Sequence, residues 1–297
     1  MSKTQNVTLD KKTQEEIKNL RIIDDALFRL MAARKGVCQE ILRTLLDDDE
    51  LEVVEVTPQN EMISLFRGVI LDALCRLSNG EYCNIEMQKD DRANDVKRTR
   101  YHASLVTVNK TPKGTDFGLI PSVKILYITT YDALGNGQTL TYVSRCQKVK
   151  DEYLPLNDGE DIIYANTKID DSTKHSRLLK LFLKSDCFYD EMFPALSEAM
   201  QFYKGTERGQ EAVSEVTKKW KQEGYEAGLA EGTKQGIKQG IEQGIEQGIE
   251  QGKRQMVVSM INNGKLTVTQ GAEELGISEE ELQRIVTGAD PVTKEEQ

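Results

Sequence analysis

Nothing in the 297 residues approaches the roughly 20 consecutive apolar residues that a membrane-spanning helix needs, and the opening MSKTQNVTLDKK has no apolar h-region. The expectation is a cytoplasmic protein that does not engage the membrane. Cysteine is sparse and unpatterned: Cys38, Cys75, Cys83, Cys146 and Cys187 form an odd set without CxxC spacing, which argues against both a disulfide framework and a zinc site. Histidine is rarer still, and His102 and His175 stand alone, as surface or packed residues do. Walker loops, GxSxG elbows, HExxH pairs and dinucleotide fingerprints are all missing. Positive charge is short as well, since a net charge of -10 runs against the basic footprint of a phosphate binder.

The charge is unevenly spread, however. From Thr206 onward 11 Lys/Arg stand against 17 Asp/Glu, whereas between Lys89 and Lys113 the count reverses to 7 against 3. The length and the 38% hydrophobic content suffice for one sizeable core plus appendages. After a polar lead, DDALFRLMAARKGVCQEILRTLL spaces Leu27, Leu30, Met31, Val37, Ile41 and Leu45 as one or two helices do, with an interruption at Gly36. A short strand at LEVVEVTPQ leads into a hairpin at LDALCRLSNGEYCNIEMQ. DVKRTRYHASLVTVN returns to a helical pattern with Val96, Leu105 and Val108 as its apolar face. SVKILYITT reads as a buried strand, TLTYVSRC and DIIYANTKI as shorter ones, and SRLLKLFLK as a helix. Such mixing gives an α/β or α+β domain.

Within the hairpin, each arm carries one acid, Asp72 and Glu86. A two-residue Asn79-Gly80 turn would set Asp72 opposite Met87 and turn the acids to opposite faces. A three-residue loop of Ser78, Asn79 and left-handed Gly80 pairs Leu71 with Met87, Ala73 with Ile85 and Cys75 with Cys83, and sets Asp72 opposite Glu86. A one-residue slip exchanges every side chain's face, so the apolar match selects the second register. Two neighbouring carboxylates repel unless a proton or cation sits between them, and a hard divalent ion with several waters is the natural partner. The other reading leaves both acids solvated on the open face of an antiparallel sheet.

From Gly224 to Gly252 glycine recurs at every fourth position. That period exceeds 3.6, so on a helix the stripe winds around the axis and suits a right-handed supercoil, although each glycine costs roughly 1 kcal/mol of helix propensity. The segment reads either as a self-associating helix or as a frayed spacer. The end, GKLTVTQGAEELGISEEELQRIV, reads as two short helices around Gly276, with Ser278 and Glu281 forming a capping box. Its outline is that of a helix-turn-helix, but Glu279, Glu280 and Glu281 would meet phosphates with like charge, so packing or self-association fits better.

The ordered set DDALFRLM, a strand Asp, NIEMQ, KRTRYHASL, ILYITTYDALGNG and IIYANT, over roughly residues 20 to 205, resembles the PD-(D/E)xK nuclease-family transposases, or recombination-promoting nucleases. The resemblance implies an α/β restriction-endonuclease-like core, with a mixed central sheet flanked by helices, that hydrolyses DNA phosphodiesters with Mg²⁺ (or Mn²⁺). It makes Asp72 and Glu86 the metal ligands, aided by the Met87 carbonyl, and puts Gln88 where the wider superfamily has a catalytic lysine. Arg98 and Tyr101 match the R-x-x-Y helix positions, and with Lys97 and Arg100 they become the expected DNA contacts. Glutamine has a dipole and no titratable proton, so Gln88 orients water, and Lys97 or Arg98 is left to supply the missing charge; the alternative is a degenerate protein that keeps the fold. The expected organisation is a lead (1–20), a nuclease-like domain (21–205), a glycine-repeat segment (206–255) that offers a route to a homo-oligomer, and a terminal helical unit (256–297).

Overall fold

The computed structural model describes residues 9–62, 68–91 and 93–288, so the ends of the polar lead and of the terminal unit lie outside the described residues. By compactness the chain divides after Lys221 into two units.

The first unit opens with α1 (Lys11–Asn19), capped by Asp10, then α2 (Asp25–Ala32) and α3 (Lys35–Leu45). The break between α2 and α3 falls at Ala33 and Arg34, and Gly36 lies inside the first turn of α3 rather than at an interruption. Strands β1 (Val53–Met62), β2 (Val69–Leu77) and β3 (Tyr82–Gln88) precede α4 (Asp95–Lys110). β4 (Val123–Thr129) and β5 (Leu140–Ser144) follow, then β6 (Cys146–Val149) and β7 (Glu152–Pro155), β8 (Glu160–Asn166), α5 (Lys174–Leu181) and α6 (Pro194–Gly205). The six-stranded sheet runs β1-β2-β3-β4-β8-β5, while β6 and β7 form a separate exposed hairpin that hydrophobic patterning does not announce. β1, β2 and β3 are antiparallel, β3, β4 and β8 parallel, and β5 antiparallel again. This is a mixed sheet flanked by helices, α/β in class.

Parallel central strands must be covered on both faces, and two cores do this. On one face Leu27, Phe28, Ile41, Phe182 and Leu196 from the helices meet Ala73, Cys75, Ile85 and Leu126. On the other, Ala103, Leu105 and Val106 of α4 pack on Leu74, Ile125, Tyr127 and Tyr164. The buried face of α4 also includes Asp95, Thr99 and His102, whereas Val96 and Val108 point to solvent at 53% and 70% exposure. The expected valine face is thus displaced, because polar residues on α4 find partners in the sheet. Tyr127 donates its hydroxyl to Asp95 at 2.8 Å, and Thr99 shares a 2.7 Å hydrogen bond with the Tyr164 hydroxyl. Buried polar groups cost little once paired, and these pairs pin the start of α4 to β4 and β8.

The hairpin has the three-residue loop. Gly80 adopts φ +88, Gly80 N–H donates to the Leu77 carbonyl, and Leu77 N–H to that of Glu81. Ala73 pairs with Ile85 and Cys75 with Cys83. Leu71 departs from the expected match: it joins the α4-side core while Met87 stays in the other. The side-chain alternation of β2 breaks at Asp72, opposite the one position of β1, Gln59 at φ 52, that is skipped between the Pro58–Ala73 and Asn60–Leu71 pairs.

α7 (Glu207–Asn262) carries the glycine repeat as continuous helix. In the second unit the end of α7 packs with α8 (Val268–Leu275) and α9 (Glu279–Thr287) around Val257, Ala272 and Leu282. A Cβ on Gly271 would come within 2.9 Å of the Val257, Ile261 and Leu282 side-chain methyls, so any larger residue there must displace them. The full capping box forms at Thr267 and Gln270 of α8; at α9 Ser278 accepts from the Glu281 N–H, without the reciprocal bond.

Candidate metal and nucleic-acid site

The β2–β3 ladder ends at Ala73–Ile85, and continuing that register by one residue sets Asp72 opposite Glu86. Beyond the last pair the Asp72 carboxylate enters the opening and accepts the Met87 N–H at 2.8 Å. The break at Asp72 therefore turns a strand residue into a side-chain acceptor at the mouth of two parting strands. Glu86 is 2% exposed and does not lie on an open sheet face, since α4 covers it. Its Oε1 accepts from the Asn84 side-chain amide at 2.6 Å and lies 3.4 Å from His102 Nδ1. Among the described residues Asn84 Oδ1 and His102 Nδ1 have no hydrogen-bond partner.

Burial raises the pKa of Asp72 well above the ordinary carboxylate range, and the charge of Glu86 adds to it; the Met87 N–H and Arg98 pull the other way. A third acid belongs to the same field. Asp25, the first residue of α2, has its pKa raised by burial and by Asp24 and Glu86, with Lys89 opposing. Patterning reads DDALFRLM only as the start of a helix, and no spacing within it signals that Asp25 approaches acids some fifty residues downstream. His102, set aside in the sequence as a lone histidine, is likewise brought to Glu86 by the turn of α4.

Gln88 is 6% exposed and held at both ends: its Nε2 donates to the Asp90 carbonyl at 2.7 Å, and its Oε1 accepts from Arg98 Nη1 at 2.8 Å. Arg98 is thus held at Gln88, where its charge also lowers the pKa of Asp72. Lys97, Arg98, Arg100 and Tyr101 line one groove of about 870 Å³ with His102, and among the described residues no carboxylate lines it. The structure brings together every residue that the sequence nominates, in two adjoining places, with Arg98 and His102 touching both.

Among the described residues no set of three or more His, Cys, Asp and Glu side chains is grouped to hold a metal ion. The donor set offered by Asp72 and Glu86 is two hard oxygens in a poorly solvated, mutually repelling pair, which suits a cation that keeps several waters. Among the described residues no helix is long and apolar enough to cross a membrane.

Residues 8–182 match the family model of the PD-(D/E)XK nuclease family transposase. No curated protein and no solved structure matches the chain.

Proposed function

The chain belongs to the PD-(D/E)XK nuclease family transposases, and on that premise we propose that it is a Mg²⁺- or Mn²⁺-dependent DNA endonuclease serving recombination or a mobile element. The observation that carries this reading is the pair of acids where β2 and β3 part, with Asp72 destabilised as an anion by burial and by Glu86. Asp72, Glu86 and the Met87 carbonyl would hold the ion, which when bound supplies positive charge to the phosphate and acidifies water. Asn84 fixes the rotamer of Glu86, and His102 Nδ1 stands 3.4 Å from the same oxygen. Gln88 acts through Arg98: its carbonyl holds the guanidinium where the superfamily's lysine charge would stand, and Arg98 stabilises charge developing on the phosphate. Lys97, Arg100 and Tyr101 position the strand through its backbone, without sequence readout.

The test is cleavage of supercoiled and linear DNA by the purified full chain across divalent metals, beside Glu86→Gln. Nicking with Mg²⁺ or Mn²⁺ that EDTA and the variant both abolish is the expected result. The second reading, a nuclease fold retained for DNA binding alone, is favoured by the neutral Gln88, and DNA binding without cleavage under any metal would select it.

A further inference from the structure

A second cleft, of about 560 Å³, lies between α1, the start of α2 and the first turns of α7. Asp25 and Lys89 both line it, so it adjoins the acids of the candidate site. Ile17, Leu20 and Ala26 give it an apolar wall, and Trp220, the chain's single tryptophan, stands in its lining at 47% exposure. One turn of α7 adds Ser214 and Thr217, whose hydroxyl oxygens are buried without a hydrogen-bond partner among the described residues; Ser214 is 4% exposed. Buried hydroxyls are nearly always paired, so two orphans in one lining mark a place where a bound group would supply the partners.

The charges of this cleft are largely spent on each other. Glu16 pairs with Lys221 at 2.7 Å, Asp24 with Lys89 at 2.8 Å, and Asp10 caps α1 through Thr13. Lys12 and Lys218 add positive charge at the lining. The α4 groove, lined among the described residues by Lys97, Arg98 and Arg100 and by no acid, suits phosphates; this one suits a flat, neutral, hydrogen-bonding body. A nucleobase has that character, and a pocket of several hundred Å³ is of the size that encloses one. A base can enter only when it is unpaired.

Resting on the nuclease reading for where the phosphate lies, we infer that this cleft takes an unpaired nucleobase of the strand held at Asp72 and Glu86, and that the substrate is single-stranded or locally opened nucleic acid. Trp220 stacks on the base, Ser214 and Thr217 hydrogen-bond its edge, and Lys12 and Lys218 face the flanking phosphates.

Because Trp220 is the only tryptophan, its fluorescence reports on the cleft directly. In EDTA, a single-stranded oligonucleotide of about 20 nucleotides quenches the full chain saturably, and the blunt duplex of the same sequence does so at least ~10-fold more weakly. Lys218→Glu weakens single-strand binding and lowers its salt dependence by about one ion. Ser214→Ala with Thr217→Val weakens it at least ~3-fold, one lost hydrogen bond to a base edge being of that order, whereas hydroxyls of merely structural value leave binding unchanged. Fluorescence that single strands do not move, or that the duplex quenches equally, overturns the inference even if the protein cleaves DNA. Quenching by single strands in a protein that no metal activates keeps the inference and removes the nuclease reading instead.

Discussion

Strand β3 and the repeat of α7 are both strongly periodic, yet they fare differently. In β3 six of seven residues are buried, and the polar ones, Asn84, Glu86 and Gln88, each hold a hydrogen bond to another side chain. In the repeat, Ile237, Ile241, Ile245 and Ile249 remain 57–59% exposed, and a Cβ at any glycine from Gly224 to Gly252 would meet nothing within 4 Å. Periodicity sets the backbone in both. Chemistry arises only around β3, where burial perturbs Asp72 of the neighbouring β2 and withdraws water from polar groups that must then find one another.

The largest effect should separate these regions by activity. Asp72→Ala and Glu86→Ala each remove metal-dependent cleavage by at least ~100-fold, since a bound ion is worth several kcal/mol of transition-state charge stabilisation, while the far-ultraviolet circular dichroism stays that of the parent. Gly240→Leu leaves turnover unchanged in the same assay. The metal-free protein sharpens the point through pH. Asp72 has a raised pKa in the fold, so the folded state favours its proton and loses relative stability as pH rises from the unfolded value through the folded one. Asp72→Asn therefore raises the urea midpoint in EDTA at neutral pH and leaves it near the parent's at pH 3; a lower midpoint at neutral pH would refute the repulsion.

Core truncation comes next. Ile85→Ala, at 0% exposure, should cost about 2–5 kcal/mol in urea unfolding, and Ile241→Ala, at 57%, should stay within about 0.5 kcal/mol. A cost at Ile241 approaching that at Ile85 would mean that a partner covers the repeat. Gln88→Lys, nominally the superfamily residue, sets a cation against Arg98 and should lower both stability, by about 1–3 kcal/mol, and cleavage; Arg98→Gln in the same chain should recover both. The smallest effect is at the glycines. Gly240→Ala meets open space and should gain at most about 1 kcal/mol of helix propensity, visible as slightly higher helicity. For the association reading of the repeat, leucine at Gly236, Gly240, Gly244 and Gly248 should dissociate any oligomer in sedimentation; an unchanged or larger one leaves the spacer.

Much of this molecule is written locally. The loop at Ser78–Gly80, the pairing of Ala73 with Ile85 and of Cys75 with Cys83, the buried run of β4 and the helix carrying Arg98 all follow from short-range pattern, because a side-chain period of two allows only one register that buries both apolar sets. The two acids came to light for the same reason. Less legible were residues whose role depends on an element far along the chain: Asp25 on α2, His102 on the buried face of α4, and the orphan hydroxyls of Ser214 and Thr217 beside α1. Val96 and Val108 misled because helical periodicity records only that a face is apolar, whereas Asp95 and Thr99 were buried by tyrosines on β4 and β8. Sequence by itself determined strand register and helix positions and nominated Asp72 and Glu86, since these are decided by neighbours within a few residues or across one short turn. Tertiary structure alone decided which carboxylate resists ionisation, which arginine faces it and which clefts adjoin it, because desolvation and charge coupling sum over atoms that the chain brings together only once it is folded.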